Sequence, residues 1–184
     1  MSVTAAKPAV GGALYVAPKG STLPTTANSA LDAAFHSLDY ISDTGVVRAV
    51  ALDTSVVKAW GGDTVLVLEN SKTETFAFSM LNAHSIYALK VINGDDNVTG
   101  TGLAGGITVT SNNKERGGNS YVIDMIESGN TLHRIVIPNG IVSEIQDINY
   151  VDNAAIAYGV TITAVADSSN NTCYEYFLTA PAST

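Results

Sequence analysis

Between Thr73 and Gly94 the chain changes its hydrophobic period within a few residues. In Thr73–Leu81 the bulky residues Phe76, Phe78 and Met80 alternate with Thr75, Ala77 and Ser79, the two-residue repeat of a strand with one buried face. Asn82 then stands as an N-cap. The segment Ala83–Asn93 predicts about three turns of helix, with Ile86, Leu89 and Val91 or Ile92 as its apolar stripe and Gly94 as its stop. Phe76, Phe78 and Met80 are expected to pack against the helix face carrying Ile86 and Leu89.

Elsewhere the pattern is mostly that of strands. Residues 1–12 read as a flexible N-terminal arm, followed by a short strand around Ala13–Ala17 and a loop rich in Pro and Thr. Leu31, Ala34, Phe35 and Leu38 fall at i, i+3, i+4 and i+7, which predicts a short N-terminal helix capped by Asn28 or Ser29. Val46–Leu52 and Ser55–Trp60 read as strands joined through Asp53 and Thr54. Gly61-Gly62-Asp63 separates them from Thr64–Glu69, and Asn70-Ser71-Lys72 reads as a hairpin connection. Loop chemistry fills Asn93–Gly106. Further strands are expected at Ile107–Thr110, Ser120–Glu127, Thr131–Ile137, Ile141–Tyr150, Ala157–Ala166 and Thr172–Leu178. Short strands at intervals of about 8–12 residues predict a mainly β fold, two packed sheets in a sandwich or barrel-like arrangement. With no internal repeat and no linker, residues 1–184 are expected to form a single domain.

Composition changes the picture in one respect. Hydrophobic residues make up 46% of the chain and charged residues only 14%, and the mean hydropathy is +0.19. That balance is apolar for a soluble monomer and points to self-association, which hides surface that a monomer must solvate. The net charge of −8 argues against tight binding to a phosphate backbone, because such binding depends on Lys and Arg displacing counterions. Cys173 is alone, so no internal disulfide is expected, and it reads as a small apolar residue. No apolar run approaches the ~20 residues of a membrane span, and the first residues lack the pattern of a signal peptide. A cytoplasmic origin without a membrane anchor is expected.

Three passages imitate chemistry. Gly100-Thr-Gly-Leu-Ala-Gly105 satisfies G-x-G-x-x-G but leads from a helix into a strand, the reverse of a dinucleotide fingerprint. Asp95, Asn97 and Thr99 resemble the start of a calcium loop, yet the twelfth position is Gly106 where a bidentate Glu is required. His36, His84 and His133 lack ligand-like spacing, and no nucleophile elbow, Walker loop or C-x-x-C is present. Neither an enzyme nor a metal or cofactor site is expected.

The order of several segments resembles the tail tube, or major tail, proteins of long-tailed non-contractile bacteriophages. The likeness is carried by Gly12-Ala-Leu-Tyr-Val-Ala-Pro-Lys-Gly-Ser-Thr-Leu-Pro24, Leu38-Asp-Tyr-Ile-Ser-Asp-Thr-Gly45, Lys58-Ala-Trp-Gly-Gly62, Glu74–Gly94, Arg134-Ile-Val-Ile-Pro-Asn-Gly140 and the closing strand from Tyr158. One departure is Asp39, where related chains often carry Gly. The resemblance implies a structural virion protein of the tail, assembled in the host cytoplasm, whose homohexameric rings stack into a tube for genome delivery. It also implies as partners the tape-measure protein, the tail terminator and the distal tail or baseplate proteins, with genomic DNA passing without specific binding. Contacts between subunits or rings are then expected at Gly11, Gly12, Leu14, Tyr15, Pro18, Leu23, Pro24 and Trp60, and lumen-facing acids at Asp53, Glu69 and Asp124. The same architecture would suit a type VI secretion tube. A β-sandwich decoration or adhesion module would instead display aromatic residues such as Trp60 and Tyr121 on loops.

Overall fold

The computed structural model describes residues 4–9 and 13–179. In chain order its elements are β1 (Ala6–Pro8), β2 (Leu14–Pro18), β3 (His36–Ser37), β4 (Ile41–Lys58), β5 (Thr64–Met80), α1 (Ile86–Asn93), β6 (Val98–Gly102), β7 (Gly106–Val109), β8 (Asn119–Glu127), β9 (Thr131–Ile145), β10 (Tyr158–Ala164) and β11 (Tyr174–Thr179). The protein is mainly β, with two sheets and one α-helix among the described residues. One sheet has nine strands in the path β3-β2-β8-β9-β10-β5-β4, with β1 added beside β8 and β11 beside β9, and the other is the pair β6-β7.

The layered packing arises because the large sheet folds over on itself. Phe76, Phe78 and Met80 of β5, Val160 and Ile162 of β10, and Tyr121, Ile123, Ile135 and Ile137 of β8 and β9 all enter one buried cluster. Phe78 meets Tyr121 across that core, ring centroids 6.4 Å apart, although two strands separate β5 from β8 in the path. The turn-over occurs within β9, whose first part pairs with β8 and β11 and whose second part pairs with β10. Gly140 lies at that junction, where a Cβ would stand 2.9 Å from the Tyr121 ring, so only glycine lets the layers approach. A second cluster lies on the other face of β2, β8 and β9, around Ala17, Phe35, Val122 and Val136.

The helix begins later than its periodicity predicts. Asn82 closes a turn instead, its Oδ1 accepting from the His84 N–H, and α1 starts after Ser85. Ala88, Leu89, Val91 and Ile92 are its buried residues, and Gly94 ends it at φ 92°. The expected N-terminal helix is replaced by turns leading into β3. Its apolar residues pack in two different places, Leu38 buried in the main cluster and Phe35 in the second, with Leu31 and Ala34 half-buried against the latter, which no single helix face could achieve. The Asp32 carboxylate accepts from the Ala34 N–H, holding a turn in place of helix.

Two expected breaks are absorbed inside strands. Asp53-Thr54 marks a register shift within β4 and β5, and Asn70 is the extra residue opposite it. Pro138 and Asn139 likewise interrupt neither β9 nor its burial. Within the arm expected to be flexible, Ala6–Pro8 pairs with Met125–Glu127 of β8. The loop expected before residue 106 contains a 3-10 turn and β6. Asp39 has φ 58°, a left-handed conformation that favours glycine, and Asn82 Nδ2 donates to its carboxylate at 2.8 Å.

Candidate assembly surface

β4 and β5 are far longer than the body needs. Near Phe76 and Phe78, β5 is flanked by β10 and β4, but beyond Thr73 it keeps only β4 as a neighbour. Every residue from 47 to 73 is exposed. The result is a two-stranded ribbon that extends about 30 Å past the core, with both edges unpaired. Its turn is closed by the Ala59 N–H donating to the Asp63 carbonyl at 2.8 Å and the Gly62 N–H donating to the Ala59 carbonyl at 3.0 Å. Trp60 projects from that turn, fully exposed.

What this ribbon exposes is apolar. Leu52, Val56, Val65, Leu66, Val67 and Leu68 are each between 46% and 60% exposed. In sequence, Val65–Leu68 lacks alternation, the pattern of a strand buried on both faces. Here those residues lie in solvent. A polar belt crosses the ribbon at the bulge, where Asn70 Nδ2 donates to Asp53 Oδ2 at 3.3 Å and to Ser55 Oγ at 2.6 Å, with Glu69 beside them.

The root of the ribbon is fixed by charge. Glu74 is fully buried and accepts from Arg48 Nε, from Thr172 Oγ1 at 2.5 Å and from Cys173 Sγ at 3.5 Å, with Lys72 Nζ also 3.5 Å away. Burial opposes ionisation of this carboxyl, but the Thr172 and Arg48 hydrogen bonds outweigh it and hold its pKa below the ordinary value. Arg48 bridges onward to Glu175 and lies 5.7 Å over the Phe76 ring. Glu175 reaches His133 Nε2 at 3.3 Å, whose Nδ1 is 3.0 Å from Glu127, so strands β4, β5, β8, β9 and the β11 segment share one network. Burial and the Glu74 charge push the Cys173 thiol up to about 11, which leaves it an inert weak donor.

The residues expected at assembly contacts are scattered. Leu14 and Pro24 are buried within the chain, while Tyr15 and Leu23 pack on the second cluster. Pro18 is exposed at the end of β2, and Gly11 and Gly12 lie outside the described residues. Of the acids, Asp53 and Glu69 are exposed on the ribbon. Asp124 instead binds Arg134 through both carboxylate oxygens, at 2.6 and 2.8 Å, and Arg134 also donates to the Ser29 carbonyl at 2.7 Å. Tyr121 is buried, so it is no displayed aromatic. Among the described residues no group of three His, Cys, Asp or Glu could hold a metal ion, and no helix is long and apolar enough to cross a membrane.

The sequence pattern pointed to Trp60 but not to the apolar rows that lead to it. Their signal was the unbroken Val65–Leu68 run beside Val56-Val57, legible as a two-sided strand though not as an exposed one. A family model described as phage tail tube protein matches residues 4–183. No curated protein matches the chain.

Proposed function

This chain belongs to the phage tail tube protein family, and from that premise we propose that its copies close into hexameric rings that stack into the conduit by which the genome leaves the capsid. The observation that carries this reading is the exposed apolar ribbon with two open edges, a surface that a free monomer has no means of covering. The chain acts as one tube domain in this reading. It meets the tape-measure protein in the lumen, and the terminator and distal tail proteins at the two ends.

The charge suits passage of DNA. Six copies at −8 give a ring about −48 from the sequence alone, and a lumen of negative potential repels phosphates so that DNA slides rather than sticks. Asp53 and Glu69 of the polar belt are free to face such a lumen, whereas Asp124 is held by Arg134. The same charge opposes assembly at low ionic strength. Screening shortens to about 10 Å at 0.1 M salt, so added salt promotes assembly while apolar contacts and strand pairing supply the attraction. Sedimentation of the purified protein across a salt series tests this. Species much larger than a monomer, growing with salt, are expected, and a monomer at every salt and protein concentration would overturn the reading.

A further inference from the structure

The ribbon leaves the body at Glu74, the last residue of β5 with β10 beside it. β10 ends there, at Ala164, and the chain returns to the same spot at Thr172 after a loop pinned by Asp167, whose carboxylate accepts from the Ser169 and Asn171 N–H groups and the Tyr174 hydroxyl. β11 then pairs with β9, and among the described residues it has no backbone pairing with β4 or β5. Side chains alone join it to the ribbon.

The partners of Glu74 fall into two groups. Arg48 and Lys72 belong to the ribbon strands, whereas Thr172 stands 98 residues further along the chain. The first group leaves the buried carboxylate incomplete. Lys72 Nζ stays 3.5 Å from Oε2, and the close donor to that oxygen is the Thr172 hydroxyl at 2.5 Å. Arg48 is itself steered by the later segment, since it donates to Glu175 and its Nη2 lies 3.4 Å from Cys173 Sγ. Without residues 172–175, a fully buried carboxylate lacks a close donor at one oxygen, and Arg48, with 33% of its side chain exposed, turns to water. A buried acceptor left in that state destabilises the strand that carries it.

The two groups also arrive at different times. A strand pair closes in about 1–10 μs. Synthesis at ~5–20 residues per second needs about 5–20 s to cover the 98 residues from Glu74 to Thr172. The ribbon, with its apolar side chains exposed and its edges open, therefore exists long before its root is complete.

We infer that Thr172–Glu175 is a latch: its docking fixes the direction in which the ribbon leaves the body, so that a chain becomes competent to assemble only after β11 has joined the sheet. A ribbon pivoting on an incomplete root has to be ordered as it enters a particle, and that lost freedom opposes assembly. The latch follows from the contacts of Glu74, and its gating of assembly rests on the tube reading.

Hydrogen exchange and assembly rate, measured on the same full-chain variants, test both parts. Thr172→Val removes the hydroxyl at nearly constant shape, and Thr172→Ser keeps it. In Thr172→Val the amides of residues 46–50 and 74–78 should exchange about tenfold faster than in wild type, while those of residues 121–123 hold their rate and Thr172→Ser matches wild type throughout. Assembly after a salt jump, followed by light scattering, should slow severalfold in Thr172→Val and recover in Thr172→Ser. Glu175→Gln, at the outer end of the network, gives the same changes in milder form and decides the matter should Thr172→Val not fold. Unchanged exchange at the root would overturn the latch. Faster exchange with assembly at the wild-type rate would overturn the gating. A wild-type chain that never assembles would overturn the tube reading and the gating with it, while the exchange rates still decide whether the latch exists.

Discussion

Phe78 shows what one side chain contributes to the body that carries the ribbon. It is 3% exposed, pairs with Val160 of β10 and Val46 of β4, and meets the Tyr121 ring across the core. It therefore joins the two halves of the folded-over sheet, and truncating it leaves a void that the rigid strands on either side cannot collapse to fill. Phe78→Ala should cost about 3–5 kcal/mol, read from denaturant unfolding at constant slope. A midpoint unchanged from wild type would place the side chain outside the core. The alternation Phe76, Phe78, Met80 made this face legible in sequence. The partner did not follow, because periodicity tells which side is buried and not what stands opposite: Phe78 meets the Tyr121 ring of β8 and pairs with Val160 of β10, in a cluster that α1 also joins.

At the scale of an element, the ribbon depends on its root. Glu74 is ionised and hydrogen-bonded in the fold with its pKa held down, so it binds its proton more readily when unfolded. Its contribution to stability is therefore present above the ordinary value of 4.5 and is lost as pH falls through the depressed folded value. Stability measured for wild type and Glu74→Gln should differ most near neutrality and converge as pH falls through the depressed folded value. Parallel pH profiles would show that the carboxylate's charge does nothing at the root. This network was not legible in sequence, since Arg48, Glu74 and Glu175 are far apart along the chain and meet only because β4, β5 and β11 converge. The ribbon itself was half legible. Gly61-Gly62 marked its turn, but Asp53-Thr54 and Asn70-Ser71-Lys72 read as breaks because polar turn formers also sit at bulges, where the strand continues past an extra residue. The N-terminal helix failed for a related reason: helical spacing at Leu31, Ala34, Phe35 and Leu38 was met by residues that pack into two separate clusters.

For the whole molecule, the body and the ribbon divide the work. The body closes its core around the folded-over sheet, and residues 51–73 enter neither buried cluster while exposing most of the bulky aliphatic surface of β4 and β5. An apolar, acidic chain of this family can be soluble alone at low salt and still be built to assemble, because repulsion is long-range and screened while the apolar contact is short-range and is not. The central claim is that the ribbon drives ring and tube formation. Electron microscopy of two proteins side by side, the full chain and one in which residues 54–70 are replaced by Asn-Gly, tests it most directly. Both should unfold cooperatively, since the excised residues touch neither buried cluster. The full chain should give end-on rings of sixfold symmetry and stacked tubes at moderate salt, and the shortened chain only monomers. Tubes from the shortened chain, or no rings from the full one, would contradict the account.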